Sequence, residues 1–408
     1  MRGMINAAIV LTWTALVAAA VIPLGASPRQ APSIVRADGT LPSDVNPGSR
    51  NRLPPIKRDD LDERGKRAYD EAVRRGGSAT GPDGAAAIRL HTSGANVRWA
   101  SPVGRQLTEL AILTTAREHD QPYEWSLHEM EALAVGLSPS VIDVVRQRKP
   151  IAGASPREAA VIQMGREIFG RHRLSAATYA RVLQLFGKTD LVDILDLMAG
   201  YSSTAARLTA VNQQMPPGWK QFLPLPFTPP DDIHADSKSR LALIRSQGQN
   251  QATPALYSRT LAPEGTGPGH IGRHGGDLRT LDSRVGTRLT MLAALVTARE
   301  HDAQYEWTVS ELAAQQAGLE PAIADLVRDR KPSAGLAEQE SALVEFGREL
   351  FGKHNVRAET YARALKAFGE RDLVDLVSLM GQHSSNAALT IAFDQQLPAG
   401  QKPLLPVR

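Results

Sequence analysis

The chain has 408 residues, 42% of them hydrophobic, which is enough for two or three globular domains with cores of their own. Its formal net charge of +4 is small for this length, and basic residues are scattered among acidic ones, which argues against nucleic acid as a partner. Cysteine is absent, which excludes disulfides, thiolate chemistry and cysteine-based zinc, haem or iron–sulfur sites.

The first residues predict export. One arginine precedes an apolar run from Ile5 to Leu24, and small residues follow around Ala26. This pattern predicts a cleaved secretory leader over residues 1–26. A retained membrane anchor is the alternative, because about twenty apolar residues span a bilayer. Either way we expect a periplasmic or secreted protein that touches a membrane only through this segment. Residues 27–58 are rich in Pro, Ser, Asn and Gly and predict a flexible linker.

Most of the remaining chain consists of two similar sequence repeats. The run TAREHDQPYEW from Thr115 returns as TAREHDAQYEW from Thr297, and the same spacing of 182 residues separates Gly170 from Gly352. A period this long indicates a duplicated domain and not a solenoid. The sequence therefore predicts a first repeat, a proline-rich linker, a second repeat and a tail, over residues 59–215, 216–236, 237–397 and 398–408.

Both repeats have the pattern of helices. Leu107, Leu110 and the residues a turn apart from them share one apolar face. Ser155, followed by proline and then by Glu158, predicts a capped helix start, and Gly136 lies where a helix should end. No run of alternating β-branched residues competes with this pattern. The predicted fold class is therefore all-α.

The two repeats differ most at their N-terminal ends, where the second contains GTGPGHIGRHGG from Gly265. So many glycines predict a loop over a cleft and not a helix. In a loop, the four-residue spacing of His270 and His274 does not place the two side chains on one face, so we expect no metal ion there.

A candidate catalytic cluster surrounds the turn between two predicted helices of the first repeat. Asp120 is expected to cap the second helix, on which Glu124 and His128 share a face. Glu109 lies on the preceding helix, and Arg117 near its end supplies positive charge. A histidine beside carboxylates suits proton transfer near neutral pH. A buried polar network that merely fixes the helix pair is the alternative interpretation.

The stretch ELAILTTAREHDQPYEWSLHEMEALAVGLS, residues 109–138, resembles the signature of the carboxymuconolactone decarboxylase family, whose all-helical fold is shared with AhpD-like alkylhydroperoxidases. The resemblance covers most of both repeats. In the peroxidase branch a Cys-x-x-Cys pair opens the second helix. Matching that branch here puts Gln121 and Glu124 at the cysteine positions, His128 at its histidine and Glu109 at its glutamate. Because both thiols are missing, thiol peroxidase activity is not expected.

The resemblance to the decarboxylase branch implies a carbon–carbon lyase or an isomerase without a cofactor or metal, which transfers protons on a small carboxylated ring or lactone. Arg117 would hold the substrate carboxylate. A non-catalytic binding or assembly module that kept the fold is the alternative function. The resemblance also implies that the two repeats pair as a pseudo-dimer and that three chains close into a homo-oligomeric ring.

The second repeat is degenerate at the candidate site. Met291 stands where the first repeat has Glu109, and Ser310 where it has His128. We therefore expect the chemistry in the first repeat. Other polar residues around the two turns are either structural ties or support for a site shared between the repeats, and they are Glu118, His119, Tyr123, Arg299, Glu300, His301, Tyr305 and Glu306.

Overall fold

The computed structural model describes residues 40–78, 81–216, 218–223, 231–244 and 265–406. The predicted leader or anchor lies outside these residues. The described residues form helices, turns and irregular segments without a β-strand, which confirms the all-α prediction. Among the helices in these ranges, none is both long and apolar enough to cross a membrane.

The first half of the chain forms eight α-helices within the described ranges. They are α1 Glu63–Arg74, α2 Gly84–Arg89, α3 Val97–Ala100, α4 Arg105–Glu118, α5 Pro122–Ala134, α6 Pro139–Arg146, α7 Pro156–Gly165 and α8 Ala176–Ala210, with a 3₁₀ turn at Arg58–Asp60 and a π-helical turn at Arg166–Gly170.

Eight more helices follow in the described part of the second half. They are α9 Gly267–His274, α10 Leu281–Val285, α11 Thr287–Glu300, α12 Gln304–Gln316, α13 Pro321–Arg328, α14 Glu338–Gly347, α15 Ala358–Phe368 and α16 Glu370–Ala392, with a 3₁₀ turn at Leu278–Thr280 and a π-helical turn at Arg348–Gly352.

The helices α4 to α7 recur as α11 to α14, with every boundary shifted by the same 182 residues. Even the break in the long helix recurs. Gly187 interrupts α8 with a φ of 75°, and Gly369 separates α15 from α16 with a φ of 74°. Only glycine adopts this conformation readily, so the same local signal bends both halves at the same point.

The long helices α8 and α16 lie against each other at the centre of the molecule. Where they meet, Ser202 Oγ is 3.3 Å from Ser384 Oγ, its counterpart in the other half. The apolar core around Trp125 includes Leu389 and Phe393 from α16 and its end, so the two halves share part of their cores.

A segment before the helices, residues 44–53, packs against both halves, although it falls within the predicted flexible linker. Leu53 is 1% exposed. The Arg52 guanidinium donates hydrogen bonds to the carbonyl oxygens of Leu174, at 3.0 Å, and Ala392, at 2.9 Å, and it pairs with Asp44 at 2.8 Å. Burial of Leu53 and these bonds hold the segment in place, so this part of the linker is ordered.

The same arrangement recurs at residues 232–241. Arg240 donates to the carbonyl oxygens of Ala210, at 3.2 Å, and Val356, at 2.8 Å, and pairs with Asp232 at 2.7 Å. We call residues 44–53 and 232–241 the two straps. Their spacing is slightly longer than 182 residues, which is why comparison at a constant spacing does not reveal them. Each strap joins the first half to the second.

The helices α2 and α9 also cross between the halves. Thr266, just before α9, has its hydroxyl 2.8 Å from the Tyr123 hydroxyl on α5. In the reciprocal position, Gly84 at the start of α2 lies against the ring of Tyr305 on α12. A Cβ atom on residue 84 would come within 2.8 Å of that ring. Each half therefore covers the tyrosine of the other.

Two local predictions are wrong. Residues 267–274 form helix α9, so His270 and His274 do share a face, with their Nε2 atoms 3.4 Å apart. Packing of the buried Ile271 against the core outweighs the low helix propensity of glycine here. Asp120 does not cap α5. It adopts a φ of 48°, and the Gln121 side chain accepts the capping bond from the backbone N–H of Tyr123 at 2.9 Å.

Candidate active site

Several buried polar groups make the same contacts in both halves. The indole of Trp125 donates to Glu129 at 2.6 Å, and the indole of Trp307 donates to Glu311 at 2.6 Å. Arg146 and Arg328 then pair with these two carboxylates. The second half lacks the full candidate cluster but keeps these Trp–Glu–Arg contacts. We therefore attribute the contacts to folding of the helix pair.

Arg117 belongs to this shared framework and not to the catalytic cluster. Its Nε donates to the backbone carbonyl of Arg146 at 2.7 Å, and its guanidinium pairs with Asp120. Arg299 does the same with Arg328, at 2.6 Å, and with Asp302. Arg117 therefore joins the ends of α4 and α6, and the structure does not bring it to Glu109 and His128.

Glu118 and Glu300 are also equivalent ties. Glu118 lies 3.5 Å from the Arg148 guanidinium, and Glu300 lies 3.2 Å from that of Arg330. Glu118 thus joins the end of α4 to the turn after α6, and Glu300 joins the end of α11 to the turn after α13. Charged groups that are paired in this way stabilise the turn and are not available to a ligand.

Four histidines meet between the halves. The rings of His119 and His354 are 5.7 Å apart, and those of His172 and His301 are 6.0 Å apart. The Nδ1 atoms of His119 and His301 are each 2.8 Å from a backbone carbonyl of their own helix. Burial lowers the pKa of His119 to about 3, and the nearby His354 adds to the shift. Burial and His172 lower the pKa of His301 to about 4. These two imidazoles are neutral at pH 7, and their hydrogen bonds to the backbone are structural.

The remaining candidates for support are spread over the two halves. Burial raises the pKa of Tyr123 to about 12, so this hydroxyl stays protonated in its contact with Thr266. Tyr305 is covered by α2, and Glu306 lies 3.9 Å from His383. The hydrogen bonds and ring contacts of Glu109 and His128 are all made within the first half, which does not support a shared site.

Glu109 and His128 form the centre of the candidate site. Helix α4 presents Glu109 and helix α5 presents His128, and Glu109 Oε2 is 2.7 Å from His128 Nδ1. The side chains are 0% and 8% exposed. The ring of Tyr201 on α8 stands perpendicular to the imidazole, with the centroids 4.9 Å apart. Since Nδ1 faces the carboxylate, Nε2 is the ring nitrogen that this pairing does not occupy.

Two arginines absent from the sequence-based prediction complete this centre. Arg98 Nε donates to Glu109 Oε1 at 3.0 Å, and Arg105 donates to the same oxygen at 2.7 Å. Arg105 also pairs with Glu131 at 2.9 Å. The Trp99 ring lies between the two guanidinium groups, 4.4 Å and 4.0 Å from them. These contacts fix the position of the Glu109 carboxylate.

The protonation states follow from burial and these partners. Burial disfavours the charged form of Glu109, but His128 and Arg98 reverse this effect and lower the pKa of the Glu109 carboxyl to about 2. Burial lowers the pKa of His128, against the opposing influence of Glu109. At pH 7 the site therefore holds a carboxylate that orients a neutral imidazole, an arrangement suited to a general base.

Glu124 lies beside this pair in a different state. Its side chain is buried, and neither carboxyl oxygen has a hydrogen-bond partner among the described residues. Burial raises the pKa of Glu124 well above its ordinary value, although the positive charges of Arg207 and Arg98 oppose the shift. The raised pKa of Glu124 and the lowered pKa of His128 give the two side chains opposite shifts, a pattern typical of acid–base sites.

The second half has lost this set almost completely. At the positions of Glu109 and His128 it has Met291 and Ser310, and only Glu124 keeps its counterpart, Glu306. The positions of Arg98, Arg105, Glu131, Tyr201 and Arg207 are occupied by Thr280, Thr287, Ala313, His383 and Leu389. The two repeats differ at these positions, and this difference is the feature of the sequence that would have pointed to the missed arginines.

No family model matches this chain, and neither a curated protein nor a solved structure matches it. Within the described ranges, no group of three or more His, Asp or Glu side chains is arranged to hold a metal ion. The chemistry of the site is therefore inferred from the side chains themselves.

Proposed function

We propose that this protein is an exported, carboxymuconolactone decarboxylase-like lyase or isomerase that works without a cofactor on a small carboxylated ring or lactone. The observation that carries this proposal is the trio of Glu109, His128 and Glu124, which combines an oriented neutral imidazole with a neutral buried acid. The second half keeps the fold and the structural ties but lacks the trio, so the trio is not required for folding.

In a decarboxylation, the bond between the substrate carbon and its carboxylate breaks, and the electron pair stays on carbon as an enolate. Glu124 then donates its proton to that carbon, and the resulting carboxylate is reprotonated from solvent. His128 Nε2, with Nδ1 held by Glu109, serves an isomerase as the base that removes a carbon-bound proton. Both reactions need one acid or base at the reacting carbon, and Glu124 and His128 are the groups that would supply it.

The proposed quaternary arrangement is a pseudo-dimer of two carboxymuconolactone decarboxylase-like repeats, three of which assemble into a ring. The contact of Ser202 with Ser384, the two straps and the reciprocal packing of α2 and α9 support the intramolecular pairing. A non-catalytic assembly module is the second candidate, favoured by the burial of the trio, since the side chain of His128 is only 8% exposed.

Carbon dioxide release from a panel of small lactone carboxylates and β-keto acids tests the proposal. We expect the wild-type protein to turn over a member of the panel and His128→Ala to reduce the rate on the order of a hundredfold to ten-thousandfold. Ser310→Ala, the matched change in the second half, should leave the rate unchanged. A His128→Ala rate equal to wild type, or no turnover of any panel member, would favour the assembly module.

A further inference from the structure

The candidate site contains hydrogen-bond donors that the protein itself does not use. Arg98 Nη2, Arg105 Nε and Arg207 Nε are buried and have no hydrogen-bond partner among the described residues. Leaving a buried charged donor unpaired costs free energy, and most such donors in folded proteins are paired. Arg98 and Arg207 both lie close enough to Glu124 for their charges to act on it, and their unpaired nitrogens indicate a ligand that accepts hydrogen bonds.

The chemistry of the unpaired nitrogens indicates the sign of that ligand. Arg98 Nε and Arg105 Nη2 already bind Glu109, and Arg105 also binds Glu131. A guanidinium donates hydrogen bonds and accepts none, and carboxylates are among its strongest acceptors. An anion is therefore the ligand that suits the unpaired nitrogens.

Arg98 is the residue best placed to receive this anion. Its Nε is fixed by Glu109 at 3.0 Å, its guanidinium stacks on Trp99 at 4.4 Å, and its side chain is 17% exposed. With Nε held, the planar guanidinium has a fixed direction and Nη2 remains open. Arg98 also lies close enough to Glu124 for its charge to act on that acid.

The element that carries Arg98 is a short segment between two glycines. Helix α3 has four residues, and its main chain contacts α4 through a 3.4 Å hydrogen bond from Thr108 Oγ1 to the carbonyl of Arg98. Gly94 and Gly104, with φ of 70° and 92°, flank it. Movement of this segment would expose the unpaired nitrogen of Arg98 to a ligand, as the movement of active-site lids does.

We propose that Arg98, carried on α3 as a lid, recognises the substrate through a carboxylate and thereby selects anions for the site in the first half. The reaction itself is taken from the proposed function, on which this inference rests. The binding of a carboxylate by Arg98 can be tested separately. Arg98 replaces Arg117 as the carboxylate-holding residue.

Binding of a matched pair of probes tests this inference without turnover. The pair is 5-oxotetrahydrofuran-2-carboxylate and its methyl ester, which differ in the negative charge. Binding is measured by calorimetry and by the change in tryptophan fluorescence, which Trp99→Phe should abolish if α3 is the lid. We expect the wild-type protein to prefer the carboxylate about tenfold to a hundredfold, as for a charge-assisted hydrogen bond.

Three variants identify the residue responsible. Arg98→Gln should remove the preference for the carboxylate, Arg98→Lys should keep part of it, and Arg117→Gln should keep all of it. Melting curves of each variant establish that it is folded, and Arg117→Lys replaces Arg117→Gln if the latter does not fold.

The outcomes separate this inference from the proposed function. If Arg98→Gln keeps the preference, or if neither probe binds at 10 mM (about the upper limit of useful affinity for such a site), the inference is overturned. If the carboxylate binds through Arg98 and the wild-type protein releases no carbon dioxide from any substrate, the inference stands and the proposed function fails.

Discussion

Acid should destabilise this protein through the two buried interfacial histidines. The pKa values of His119 and His301 are lowered by burial to about 3 and about 4, against about 6.5 for histidine in an unfolded chain. Below pH 6.5 the unfolded state therefore binds more protons than the folded state, and stability falls as the pH falls toward these folded values. The loss is absent above about pH 7.

The magnitude follows from the linkage relation. At pH 5 both imidazoles are still neutral in the folded protein, while in the unfolded chain both are protonated. Each contributes about 2 kcal/mol of lost stability between pH 7 and pH 5, or about 4 kcal/mol together. For a domain with a free energy of unfolding of about 5 to 15 kcal/mol, this is a large change.

Urea denaturation followed by circular dichroism between pH 5 and pH 8 measures this loss. The double variant His119→Gln, His301→Gln should be less stable at pH 8 but should lose about 4 kcal/mol less than wild type between pH 7 and pH 5. Ser310→Ala is the control, because a change without a titrating group should leave the pH dependence as it is. An identical pH dependence in the double variant and wild type would refute the reasoning.

Three further predictions follow from the composition and the packing of the halves. Metal-free protein should show no dithiol-dependent reduction of alkyl hydroperoxides, since it has no cysteine; robust peroxide consumption would contradict this. Residues 40–216 alone should fail to give a dispersed amide NMR spectrum, because the partner of α8 and the second strap are missing; cooperative unfolding of this fragment as a monomer would show that the halves fold independently. Light scattering should give a trimer, and a 44.0 kDa species at micromolar concentration would reject the ring.

The sequence predicted the helical framework well because the local signals are strong and occur twice. The capping box of Ser155 and Glu158 forms as expected, and Gly136 ends its segment with a φ of 83°. The helices α4 to α7 and α11 to α14 have matching boundaries because matching residues specify them.

The sequence did not predict the straps or helix α9, and the reason is the same for both. The straps lack regular secondary structure, and they are held by a buried leucine and by arginines that reach carbonyls far away in the chain. Helix α9 is rich in glycine and forms because Ile271 is buried against the other half. Long-range packing determines the conformation of these segments, and the periodicity of apolar residues in a short window of sequence does not reveal such packing.

The spatial grouping of the candidate residues could be predicted in part. Glu109 and His128 meet because helical spacing and a short turn fix the relative positions of neighbouring helices. Arg117 is near them in sequence, but its guanidinium lies at the end of α6. Arg98 was missed because it reaches Glu109 from a separate short helix.

The central claim is that the first half carries the chemistry and the second half does not. Glu124 and Glu306 test it most directly, because they are the one pair of site residues that both halves retain. Glu124→Gln keeps the size of a side chain whose charged form is disfavoured by burial, so the fold should persist, but the amide cannot protonate carbon. Carbon dioxide release from a turned-over lactone carboxylate should fall at least about a hundredfold in Glu124→Gln and remain at the wild-type rate in Glu306→Gln. Equal rates in the two variants, whether both high or both low, would contradict the account.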